Sequence, residues 1–109
     1  NYISNLKINT VIEQVVSGNE EVTTTIEYKV QISSGKNKIT TKHYNFKGLR
    51  DVERVKVEGF YKYYYGTTSN FNEAKEHLKT AKKKGYKTAF LVAFNNGKKI
   101  SVQKAIKMQ

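Results

Sequence analysis

Four stretches of this chain alternate hydrophobic and polar residues with a period of two, and a fifth carries a helical period. Tyr28, Val30 and Ile32 alternate with Lys29, Gln31 and Ser33, which predicts a half-buried strand ending at Ser34-Gly35. Val55 and Val57 alternate with Arg54, Lys56 and Glu58, a second strand, and Glu58-Gly59 is a tight-turn dipeptide leading into a third. In that third strand the period of two separates Tyr61, Tyr63 and Tyr65 from Phe60, Lys62 and Tyr64. The triplet interrupted by lysine is assigned to solvent, and the tyrosine triplet to the core. A surface of rings beside a positive charge is the kind that binds something.

The helical stretch follows. Asn70 with Glu73 three residues on is an N-terminal capping pair, and Phe71, Ala74, Leu78 and Ala81 form one apolar stripe. Lys82 to Lys84 suit the negative end of the helix dipole, and Gly85 supplies the stop. A fourth strand runs from Thr88 to Phe94 and turns at Asn95-Asn96-Gly97, and Ser101 caps a short final helix containing Val102, Ala105 and Ile106. Its two rows are Ala89, Leu91, Ala93 and Phe90, Val92, Phe94. Placing the small row beneath the helix complements the bulky tyrosines and sends Phe90, Val92 and Phe94 to the open face, with the opposite assignment as the alternative.

Between the first two strands, residues 36 to 50 are polar, and Phe46, Leu49 and Val52 suggest a short helix or an irregular crossover. Residues 1–25 read as a linker or N-terminal extension: Ile8, Val11, Ile12, Val15 and Val16 sit at helical spacing before Gly18 and a threonine run break it. Residues 26–109 then form one domain. The predicted order is β-α-β-β-α-β, an α+β fold of the split βαβ type: a four-stranded antiparallel sheet with its helices on one face. First and third strands are central neighbours, so Gln31 and Lys62 project together from the middle of the open side.

Composition narrows the partner. A formal net charge of +11 in 109 residues calls for nucleic acid, an acidic membrane or an acidic polysaccharide. The chain has no cysteine, which excludes disulfides, thiol catalysis and cysteine metal sites. No apolar run approaches the roughly 20 residues that span a bilayer, so no membrane insertion is expected. Asn1 begins no signal peptide, and the sequence looks cut from a longer protein. His43 and His77 are the only histidines, and the nine carboxylates show no metal-like spacing. Ser101 lacks the glycines of a nucleophile elbow. No catalytic residue, metal or cofactor is assigned. Lys82 to Lys84 read as a solvated helix end, and His77 as a solvated neighbour of Glu73 and Glu76.

The stretch from Tyr28 to Val92 resembles the SPOR (sporulation-related repeat) domain of bacterial cell envelopes. The first strand, with Val30-Gln31-Ile32 and Ser34, matches the family's opening. Tyr61 to Gly66, Glu73-Ala74, Leu78, Gly85 and Ala89 to Val92 match its second half in order and spacing. That second half, with the crossover segment at residues 45–66, looks especially similar to the C-terminal segment of N-acetylmuramoyl-L-alanine amidases. Ser33 stands in place of a usual glycine, Gly35 in place of a common aromatic, and the first crossover lacks the family's Ala-x-x-Leu.

The resemblance implies a ferredoxin- or RNP-like sandwich with no activity of its own. It would act as a monomer, bind denuded, anionic peptidoglycan glycan strands, and target an amidase carried elsewhere in the parent protein to the division septum in the periplasm. It carries over Gln31 and Ser34 as glycan contacts, and matches Phe60, Lys62, Tyr64 and Phe94 by position on the open face. The chemistry agrees, since rings suit apolar sugar faces, a glutamine amide both donates and accepts, and lysines attract lactyl carboxylates. Nucleic acid is the rival and is not the expected partner. Residues 58–65 depart from the RNA-recognition signature: Tyr61 replaces its small residue, Lys62 its stacking ring and Glu58 its basic residue.

Overall fold

The computed structural model describes residues 24–109; the helical spacing from Ile8 to Val16 lies outside them. The fold is α+β. Strand β1 is Ile26–Gly35, followed by a three-residue 3-10 turn, His43–Asn45; then come β2 Glu53–Val57, β3 Phe60–Thr68, helix α1 Phe71–Lys83, β4 Phe90–Asn95, β5 Lys98–Ile100 and helix α2 Val102–Lys107. All neighbouring strands are antiparallel, in the order β2-β3-β1-β4-β5, so β1 and β3 are adjacent near the centre.

Among the described residues the sheet has five strands rather than the four expected. Asn96 (φ 52°) and Gly97 (φ 84°) both take the left-handed conformation of a two-residue hairpin turn. That turn folds Lys98–Ile100 back on β4, where Ala93 pairs with Ile100 and Phe94 with Lys99. Glu58 (φ 51°) and Gly59 (φ 86°) do the same between β2 and β3. The second turn fixes a register that pairs Val57 with Phe60, Val55 with Lys62 and Glu53 with Tyr64.

No α-helix forms in the first crossover. Lys47 (φ 54°), Gly48 (φ 90°) and Asp51 (φ 59°) are three left-handed residues within five, which no α-helix accommodates. Local hydrogen bonds tie the segment instead: the Gly48 amide donates to the His43 carbonyl at 2.9 Å, and the Asn45 side-chain amide to the Thr40 carbonyl at 3.0 Å. Phe46, Leu49 and Val52 are still buried, so the apolar positions do a helix's work without its backbone.

The core lies on one side of the sheet. Small helical residues meet large strand residues there. Ala74 and Ala81 of α1 are fully buried against Tyr28, Val30 and Tyr63, with Phe46, Leu49 and Ala89 filling beside them. The capping expectation holds, because the Asn70 side chain accepts from the Glu73 amide at 2.9 Å. Ser101 caps α2 in the same way, through the Lys104 amide at 3.1 Å. Ala105 of α2 packs with Ile26 and Ala93, so both helices cover the same face.

Strand β4 begins at Phe90, two residues later than expected. Tyr86 and Ala89 close a turn, with the Tyr86 amide donating to the Ala81 carbonyl and the Ala89 amide to the Tyr86 carbonyl, both at 3.1 Å. The small-row assignment holds. Ala89 and Ala93 are buried in the core, while Phe90, Val92 and Phe94 pair across from Gln31, Lys29 and Glu27 on the other side.

His77 is not the solvated neighbour of Glu73 and Glu76 that the sequence suggested. Its Nδ1 lies 2.8 Å from the Gly66 carbonyl oxygen and its ring sits against Tyr65. A Cβ built on Gly66 (φ 72°) would stand 2.6 Å from that ring, so glycine is required for both backbone and space.

Candidate functional site

The face that carries no helix among the described residues is assembled from alternate residues of every strand. Strand β1 contributes Glu27, Lys29 and Gln31, β2 contributes Glu53, Val55 and Val57, and β3 contributes Phe60, Lys62 and Tyr64. Strand β4 adds Phe90, Val92 and Phe94, and β5 adds Lys99. A register shift after Gln31 opposes Ile32 and Ser33 to Tyr63, and this bulge brings Ser34 opposite Lys62. Gln31, Ser34 and Lys62 therefore share the open side, two of them by plain alternation and Ser34 through the bulge.

A groove of about 340 Å³ crosses this face, lined by Glu27, Lys29, Val55, Val57, Lys62, Tyr64, Phe94, Gly97 and Lys99. It draws on all five strands. It runs diagonally, from Val57 at the β2–β3 turn to Gly97 in the β4–β5 turn at the opposite end of the sheet. Three of the residues expected at the site, Lys62, Tyr64 and Phe94, line it. Gln31, Ser34 and Phe60 share its face outside the lining.

Tyr64 is the floor, not a ring standing in water. It is 4% exposed, with Phe94 edge-on at 5.8 Å between centroids and the Lys29 ammonium 5.7 Å above its ring. Burial pushes its hydroxyl pKa up. Lys29 spans this floor: its stem crosses β3 and its ammonium meets the Glu53 carboxylate at 2.6 Å, while also lying 5.5 Å from the Phe94 centroid. Lys29 is mostly buried and Glu53 half-exposed, so the charge at the floor is compensated rather than free. The other ion pair among the described residues joins Lys79 to Glu76 on α1, which leaves Lys62 and Lys99 at the groove without an acidic partner.

The exposed rings stand elsewhere on the same face. Phe60 is 42% exposed under the Lys36 ammonium, 5.8 Å from the ring centroid, and Phe90 is 48% exposed next to Gln31. Gln31 itself is half-buried, and its side-chain oxygen is enclosed without a hydrogen-bond partner.

Sequence reasoning missed Val55, Val57, Lys29, Glu27 and Lys99 as groove residues. The signal for the valines was present. A two-residue turn at Glu58-Gly59 pairs Val57 with Phe60 and Val55 with Lys62, and paired residues share a face. Lys99 had no such signal because the fifth strand was not foreseen.

Among the described residues no histidine, aspartate and glutamate group could hold a metal ion, and no helix is long and apolar enough to cross a membrane. Compared with protein-family models, curated proteins and solved structures, the chain matches none.

Proposed function

We propose that this domain is a non-catalytic module that binds peptidoglycan glycan strands stripped of their stem peptides. On this reading it holds a cell-wall amidase at the division septum, in the manner of the SPOR domains it resembles. The observation that carries the reading is the diagonal groove. An extended polymer needs a long open track, and this one offers aliphatic and aromatic walls for sugar C–H faces with two unpaired lysines for lactyl carboxylates.

The strand order supports the split βαβ topology of that family. The irregular crossover stands where the first helix would be, and β5 with α2 is an addition to the four-strand plan. A nucleic-acid module would stack bases on open ring faces in the middle of the sheet. Here the central ring, Tyr64, is covered by Lys29 and Phe94.

Pelleting with purified sacculi tests the proposal. Retention should rise after amidase removes the stem peptides and should survive competition by single-stranded oligonucleotide. Equal or lower retention on the treated sacculi rejects glycan binding, and displacement by the oligonucleotide transfers the face to nucleic acid.

A further inference from the structure

Val55 and Val57 are not explained by folding. Both sit on the helix-free side of β2, an edge strand, and Val55 is 42% exposed. The residues that alternate with them toward the helical side are Arg54 and Lys56, so this strand carries its apolar row outward. Strand propensity alone is served as well by threonine, which tolerates water. The valines instead form one wall of a recess that Tyr64, Phe94, Lys29 and Lys62, the cross-strand partner of Val55, also line. Its floor carries no free charge, since the Lys29 ammonium is held by Glu53 at 2.6 Å.

We infer that this recess receives the acetamido methyl of an N-acetylated amino sugar, so that the domain distinguishes N-acetylated glycan from glycan whose amino groups are free. The inference rests on the glycan reading above and adds a chemical requirement to it. An acetamido group is neutral, and its methyl is of a size to lie between two valines and a ring. Removing the acetyl group leaves an ammonium at the same carbon. That cation would enter a groove holding two unpaired ammonium groups, Lys62 and Lys99, against one unpaired carboxylate, Glu27. Lost methyl burial and net repulsion act in the same direction, and together they weaken binding about tenfold. Cell walls that shed acetyl groups from their amino sugars would thereby escape this module.

The test uses the full chain and three sacculus preparations, all amidase-treated: untreated further, chemically de-N-acetylated, and de-N-acetylated then re-acetylated on nitrogen. Binding should fall about tenfold on the second and return on the third. Val55→Thr, an isosteric change at an exposed position, should weaken binding to the acetylated sacculi severalfold and narrow the ratio between binding to the acetylated and to the de-N-acetylated ones. Circular dichroism confirms that the variant is folded. Equal binding to the acetylated and de-N-acetylated sacculi overturns the acetamido requirement and leaves the glycan reading standing. Absence of binding to every preparation overturns both.

Discussion

At the scale of single residues, neighbours in β3 face opposite sides of the sheet. Tyr63 is 1% exposed, stacked near Phe46, and its hydroxyl accepts from the Ile39 amide at 2.9 Å and donates to the Asn37 carbonyl at 3.2 Å. It therefore anchors the irregular crossover as well as the core. Tyr63→Ala should cost roughly 3–5 kcal/mol in urea unfolding. Lys62→Ala, one position away on the other face, should change stability by less than about 0.5 kcal/mol and lower retention on sacculi. A harmless Tyr63→Ala together with a destabilising Lys62→Ala would mean the faces are reversed. Tyr64 adds a pH signature. Burial raises its pKa above the ordinary 10.0, so in the unfolded chain it ionises first. Its contribution is thus complete below pH 10 and declines as pH rises beyond it. Across urea midpoints from about pH 8 to 11, Tyr64→Phe should flatten the alkaline fall relative to the unaltered protein.

At the scale of elements, the two hairpin turns differ in how well their residues suit them. Asn96-Gly97 is the preferred pair for two successive left-handed residues, whereas Glu58 occupies the same conformation with a longer side chain that gains nothing from it. Glu58→Asn should therefore raise stability by roughly 0.5–1 kcal/mol in thermal or urea unfolding, and no change would show that the strain is relieved elsewhere.

The turns and α1 were the most legible parts of the sequence, because each rests on local chemistry: Asn70 and Glu73 at the cap, glycine after a left-handed neighbour, and strict alternation in β1 and β3. What was not legible depends on distant partners. Phe46, Leu49 and Val52 have helical spacing, but the left-handed residues Lys47 and Asp51 are held there by packing that a local pattern does not show. Strand β5 is three residues long, Lys98–Ile100, and exists because β4 offers it an edge. In the site, alternation placed Gln31, Lys62, Tyr64 and Phe94 on a common face. It could not tell that Lys29 reaches across β3 to Glu53 and thereby buries Tyr64, since that contact links residues 24 apart.

At the scale of the whole molecule, the question is whether the excess positive charge acts as a general field or through the groove. The chain carries +11, far more than sparse lactyl carboxylates require. Much of it is remote from the open face: Lys82, Lys83 and Lys84 end α1 on the helical side, where they also meet the negative end of the helix dipole. Near physiological ionic strength the screening length is about 8 Å, less than the thickness of a sheet and a helix layer. Charges on the far side then add to encounter but little to the bound state. Lys62 and Lys99, at the groove and without acidic partners, are within reach of a ligand carboxylate, each worth roughly 0.5–1 kcal/mol at a partly exposed site. The double change Lys62→Ala/Lys99→Ala should therefore weaken retention on amidase-treated sacculi about five- to thirtyfold at 0.15 M salt. Lys82→Ala/Lys83→Ala, which removes the same net charge, should weaken it less than about twofold. Raising the salt should bring the unaltered protein toward the groove variant and leave that variant nearly unmoved. Equal losses from the two pairs would show that attraction is a property of net charge alone, and the groove would lose its claim to be where the glycan lies.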